Sequence, residues 1–193
     1  MPNWVHNSIT IQGNKNQTTE LANLLGAEYK GLDNGSVNFL NLVAPPEKNW
    51  EEYSTTGVPG LSIEDKAGHP VFNWYDWNCE NWGTKWNACD PEVFLGDDFL
   101  MLSFDTAWSP PGGFIEALTS QIKKQKLSMT YTWEEEQGFG EEWSLDSEGN
   151  LELVKDWEIP TSHKDYDNRD NECPCEVWEE EMYDDCPKIE VSA

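Results

Sequence analysis

The sequence predicts an α+β sandwich, an antiparallel sheet carrying two helices on one face, and three observations lead there. Two segments read as strand, helix, strand in succession; both helices have one apolar stripe; and no glycine-rich phosphate turn accompanies either, so a doubly wound parallel sheet is the weaker alternative.

In the first segment, "NSITIQG" alternates polar and apolar residues up to Gly13, which reads as a strand with Ile9 and Ile11 on one face. "NQTTELANLLGAEY" reads as a helix with Thr18 or Thr19 as its N-cap, Leu21, Leu24 and Leu25 as its buried stripe and Gly26 as its stop. "SVNFLNLVAPP" returns to period two, with Val37, Phe39 and Leu42 inward, until Pro45 and Pro46 end it. In the second segment, "DDFLMLSFDTAWSPP" reads as a strand and "GGFIEALTSQIKKQK" as a helix buried along Phe114, Ile115, Leu118 and Ile122. "LSMTYTWEEEQG" follows as a further strand. Lys123, Lys124 and Lys126 stand at the helix C-terminus, where the macrodipole favours cations. Two more alternating runs, "GEEWSLDSEG" and "NLELVKDWEI", meet at Ser147-Glu148-Gly149-Asn150 and predict a hairpin. Two β-α-β units of this kind make the ferredoxin-like arrangement, here with an extra C-terminal hairpin.

The expected organisation is one ferredoxin-like domain over residues 1–159, interrupted by a long polar insertion at about 47–90, then an acidic tail over 160–193, ordered only in part. In that tail 11 Asp and Glu face 3 Lys and Arg, with no sustained periodicity.

The chain carries 37 acidic against 12 basic residues, a net charge of −25. Such a field repels nucleic acid and anionic membranes and attracts cationic protein surfaces. Arg169 is the single arginine, so there is little of the bidentate phosphate recognition that guanidinium supplies. No apolar run approaches the roughly 20 residues of a membrane span, and "MPNWVHNSITIQG" lacks the pattern of a secretory leader, so a cytoplasmic location is expected. Five cysteines, Cys79, Cys89, Cys173, Cys175 and Cys186, fit reduced thiols better than a disulfide framework.

"WNCENWGTKWNACD", residues 77–90, packs three tryptophans, two cysteines and a lysine into a short run. Trp82, Lys85 and Trp86, with Trp74, Trp77, Trp108 and Asp105, could line a ligand pocket in which the rings hold the lysine. The structural reading, a core wall around a tight turn at Gly83 and Thr84, is preferred. Metal binding is disfavoured, because His6, His69 and His163 are scattered and "CPC" with Cys186 lacks a knuckle spacing; no metal and no cofactor are expected. No G-x-S-x-G occurs, Cys79 and Cys89 have no histidine in sequence register, and no catalytic residue is assigned.

Four stretches, "MPNWVHNSITIQG", "ENWGTKWNA", "FDTAWSPP" and "YTWEEEQGFGEEW", resemble in order the Api92-like and YubB-like proteins of phages and conjugative plasmids. The resemblance spans about residues 1–143, leaves the tail outside, and implies a ferredoxin-like fold and a mobile-element setting without an activity. The chain departs from the family pattern at Val5, where relatives tend to carry cysteine, and in "WEEEQG", which has one residue more before the glycine.

Charge and setting together lead to a non-enzymatic counter-defence protein in the host cytoplasm. It is expected to inhibit a defence factor, of CRISPR or restriction type, by occupying that factor's basic nucleic-acid-binding surface. The expected contact residues are Glu134, Glu135, Glu136, Glu141 and Glu142, and in the tail Asp165, Asp167, Asp170, Glu179, Glu180, Glu181, Asp184 and Asp185. The alternative is a small-molecule-binding or enzymatic module at the Trp-lined pocket. A phage structural component ranks third.

Overall fold

The structure, a computed structural model, describes residues 3–30, 36–47 and 74–158. Strict alternation builds β1 (Trp4–Gln12): Val5, Asn7, Ile9 and Ile11 are buried on one side, while Trp4, His6, Ser8, Thr10 and Gln12 point to the other. Asn14 then caps α1 (Lys15–Leu25), accepting the N–H groups of Asn16 and Gln17 while the Gln17 side chain accepts the Asn14 N–H. The cap is therefore not Thr18 or Thr19. Thr18 lies inside the first turn, its hydroxyl donating back to the Asn14 and Lys15 carbonyls. Leu21 and Leu25 are buried; Leu24 turns outward, 39% exposed.

The run "SVNFLNLVAPP" is not a strand. Asn38 accepts the N–H of Leu40 and closes a 3-10 turn over Phe39–Asn41, because a local side-chain acceptor competes with sheet pairing. The turn delivers Phe39 into the core, stacked on Phe114 at 4.2 Å and edge-on to Trp82 and Phe104, each at 5.5 Å.

The remaining elements are α2 (Trp74–Asn81), β2 (Cys89–Leu95), β3 (Phe99–Ala107), α3 (Gly112–Gln125), β4 (Ser128–Glu135), β5 (Gly140–Leu145) and β6 (Leu151–Trp157). They join one antiparallel sheet in the order β2-β3-β1-β4-β5-β6. The first four strands with α1 and α3 are the ferredoxin-like unit, and β5 and β6 extend it as the expected hairpin. The second strand of the first β-α-β unit is thus β2, which starts at the end of the segment read as an insertion and runs past it. Residues 48–73 of that segment, and the acidic tail from 159 onward, lie outside the described residues.

One layer of helix covers one face. Leu21 and Leu25 of α1 and Phe114, Leu118 and Ile122 of α3 pack on Ile9, Ile11, Leu100, Leu102, Phe104, Met129 and Tyr131, each burial contributing about 1.5–3 kcal/mol for the larger side chains. At the β5–β6 turn, Asp146 accepts the N–H groups of Glu148 and Asn150, each at 2.8 Å; the Asn150 N–H first of all holds its carboxyl below the ordinary value.

Candidate functional site

The opposite face of the sheet is covered by no helix among the described residues. Its side chains follow from register. His6 on β1 lies directly across from Asp105 on β3 and Glu134 on β4, so a carboxylate flanks it on each side. His6 Nδ1 is 3.0 Å from Asp105 Oδ1, and Ser103 Oγ is 3.5 Å from His6 Nε2. Trp4, His6, Asp105, Thr132, Glu134, Glu135 and Glu136 line a cavity of about 670 Å³. Ser103, His6 and Asp105 stand in the order of a hydrolytic triad. Ser103 sits on β3, an interior strand, opposite the irregularity in β2 between Cys89 and Glu92.

The acidic run 134–142 divides between the two sides of the sheet. Glu134, Glu136 and Glu142 are on or beside the open face, Glu136 accepting the Trp4 N–H at 3.0 Å and Glu134 the Trp157 indole N–H at 2.9 Å. Glu135 is 4% exposed and accepts the Gln137 N–H at 2.7 Å, and so lines the cavity from beneath. Glu141 is turned the other way, one oxygen accepting the indole N–H groups of Trp133 and Trp143 at 3.0 and 2.9 Å. These two carboxylates have structural partners that sequence reading as a solvated acidic run did not foresee. The tail residues Asp165, Asp167, Asp170, Glu179, Glu180, Glu181, Asp184 and Asp185 lie outside the described residues.

The tryptophan stretch is both wall and site. Trp74, Trp77 and Trp82 are core, and the Trp82 indole donates to the Val43 carbonyl at 2.9 Å. Gly83, at φ +85°, lets the chain pass close to the Pro110 carbonyl and Gly112 nitrogen, where a Cβ would come within 3.3 and 3.2 Å. The Thr84 hydroxyl donates to the Ala107 carbonyl at 2.9 Å, Ser109 donates to the Gly83 carbonyl, and the Gly113 N–H donates to the Trp82 carbonyl at 3.1 Å. This clamp brings "WGTKW" against "AWSPPGG". It holds the Lys85 ammonium 4.6 Å from the Trp86 ring centre, 4.8 Å from Trp108 and 5.8 Å from Tyr75.

Of the residues read as an alternative pocket, Lys85, Trp86 and Trp108 therefore meet. Trp82 is buried beneath them, and Asp105 belongs to the His6 cavity instead. Tyr75 was not foreseen, since nothing in its spacing marks it. Trp4 connects the two places: it lines the cavity and its ring lies 5.8 Å from that of Trp86.

Cys79 and Cys89 are free thiols, each pushed up chiefly by burial, Cys79 also by Asp76 and Cys89 by Asp90 and Asp105; both make poorer nucleophiles. No group of three metal-ligating side chains occurs among the described residues, and Cys173, Cys175, Cys186 and His163 lie outside them. Among the described residues no helix is long and apolar enough to cross a membrane.

Fold and site define an α+β ferredoxin-like domain with one open, acidic sheet face. Residues 81–173 match the family described as the ferredoxin-like domain in Api92-like protein. The chain is also similar to the crystal structure of a protein api92 from Yersinia pseudotuberculosis, with 12% identity, 83% of this chain and 99% of that chain covered, and a TM-score of 0.50. At that identity the likeness concerns the fold alone. No curated protein sequence matches.

Proposed function

We propose that this chain is a counter-defence protein of a phage or mobile element, acting in the host cytoplasm. In this reading it binds a host nucleic-acid-handling defence factor through the acidic open face of its sheet and keeps nucleic acid off that factor's basic groove. The observation that carries the reading is the bracketing of His6 by Asp105 and Glu134 above a cavity completed by Glu135 and Glu136, on a chain of net charge −25. Ferredoxin-like sheets that bind RNA do so through aromatic platforms and positive charge. Phe94 and Phe99 stack at the β2–β3 edge of this face, but around His6 it carries Ser8, Ser103, Asp105 and Glu134, a composition suited to lysine and arginine side chains rather than to phosphates. Opposite charge also speeds encounter and sets register on a cationic groove.

The test is capture of host proteins on the folded chain at low and high salt, beside a variant with Asp105→Lys, Glu134→Lys, Glu136→Lys and Glu142→Lys. The expected result is a salt-sensitive, nucleic-acid-binding partner that the variant no longer retains. Equal retention by both proteins would overturn the reading.

A further inference from the structure

We propose that Tyr75, Trp86 and Trp108 form a cage for a quaternary or methylated ammonium group, which Lys85 occupies in the free protein as a displaceable plug. The inference does not depend on the counter-defence reading.

Three observations carry it. First, rings from three separate elements converge on one cation: Tyr75 from α2, Trp86 from the loop before β2, and Trp108 from the turn after β3, all within 5.8 Å of the Lys85 ammonium. Tyr75 and Trp108 stand nearly perpendicular, 76° apart at 6.3 Å, as two walls of a corner, and Trp4 supports Trp86 from outside. Second, the ammonium makes no hydrogen bond or ion pair with any described residue, although the chain holds 37 carboxylates. A primary ammonium has three N–H groups to satisfy, whereas a quaternary ammonium has none and is more weakly hydrated, so these rings suit the alkylated cation better than the lysine they hold. Third, Trp108 has φ +73° and is 48% exposed. A bulky residue in left-handed backbone is an outlier of the kind that collects at ligand clamps. The neighbouring bonds over-determine it: its N–H donates to the Asn3 carbonyl at 2.8 Å, and the Thr106 hydroxyl donates to the Ser109 carbonyl at 2.8 Å.

A plug lowers apparent affinity by the fraction of time it leaves the site. Removing it must therefore tighten binding, the opposite of what loss of a ligand-contacting residue does. The experiment titrates tetramethylammonium chloride into the full chain and into Lys85→Ala and Lys85→Gln variants, with sodium chloride at matched ionic strength as the control, following indole N–H resonances by NMR. The expected result is binding about tenfold tighter in both Lys85 variants than in the wild type, corresponding to a plug seated about nine-tenths of the time. Adding Trp108→Ala to Lys85→Gln should then abolish it. Choline and a trimethyllysine peptide distinguish the source of the cation: tighter choline indicates a free amine, a tighter peptide indicates a protein side chain. Wild type and a folded Lys85→Gln variant responding alike, and no more than to sodium chloride, would overturn the proposal.

Discussion

The hydroxyl of Tyr131 donates to Asn7 Oδ1 at 2.8 Å, a bond between two adjacent strands on the helix-covered side of the sheet. The amide of Asn7 in turn donates to the carbonyls of Val5 and Phe104, at 2.9 and 3.3 Å, and to the Thr106 hydroxyl at 3.0 Å. Asn7 is fully buried, so truncation strands several polar groups away from water. Asn7→Ala is expected to lose about 2–4 kcal/mol of stability in urea unfolding, and Tyr131→Phe about 1 kcal/mol. A loss below half a kcal/mol for Asn7→Ala, on the order of surface substitutions, would show that the network is not holding the strands.

Burial pushes the Tyr131 phenol well above its ordinary value, and the Glu141 carboxylate adds to the effect. As pH rises past about 10, the unfolded chain releases this proton while the folded one keeps it. The contribution to stability is therefore whole below that pH and shrinks above it. The urea midpoint should fall more steeply between about pH 9 and 11 in the wild type than in Tyr131→Phe. Parallel curves for the two proteins would contradict this.

Left-handed backbone at Trp108 can be separated from its ring by two substitutions. Trp108→Gly and Trp108→Ala both remove the indole, yet only alanine retains the steric penalty at φ +73°, about 1–2 kcal/mol. The glycine variant should melt at the higher temperature by that difference. Equal melting temperatures would mean that the turn relaxes once the ring is gone.

Adjacent glycines at the start of α3 make a paired test of how closely that helix approaches the end of α2. A Cβ on Gly113 would lie 1.9 Å from the Asn81 carbonyl oxygen, a backbone atom, while a Cβ on Gly112 would meet nothing within 4 Å. Gly113→Ala is expected to cost about 3 kcal/mol or to prevent folding, with Gly112→Ala close to neutral in thermal unfolding.

Where the chain alternates strictly or keeps one apolar stripe, the fold was legible: Ile9 and Ile11, and Phe114 through Ile122, lie buried as their periods require. Periodicity misled where a polar side chain satisfied the backbone locally, as Asn38 does ahead of Phe39. It missed β2 because "CDPEVFL" places Pro91 at a bulge in an edge strand, a position proline tolerates but pattern reading discounts. The candidate sites depend on register more than on motif. His6 is 99 residues from Asp105, and no local signal announces their contact. Glu141 reads as surface acid until two indoles are found on one of its oxygens.

The central place of β1 in the sheet also constrains when the molecule can assemble on the ribosome. Both neighbours of this N-terminal strand arrive late, β3 about 99 residues and β4 about 124 residues after it, judged from the His6–Asp105 and Asn7–Tyr131 contacts. At about 5–20 residues per second, β1 waits roughly 5–20 s for its first partner with both edges unpaired. High sequence separation of this kind also slows spontaneous refolding. The emerging chain thus passes through a long interval in which Val5, Ile9 and Ile11 are accessible to chaperones.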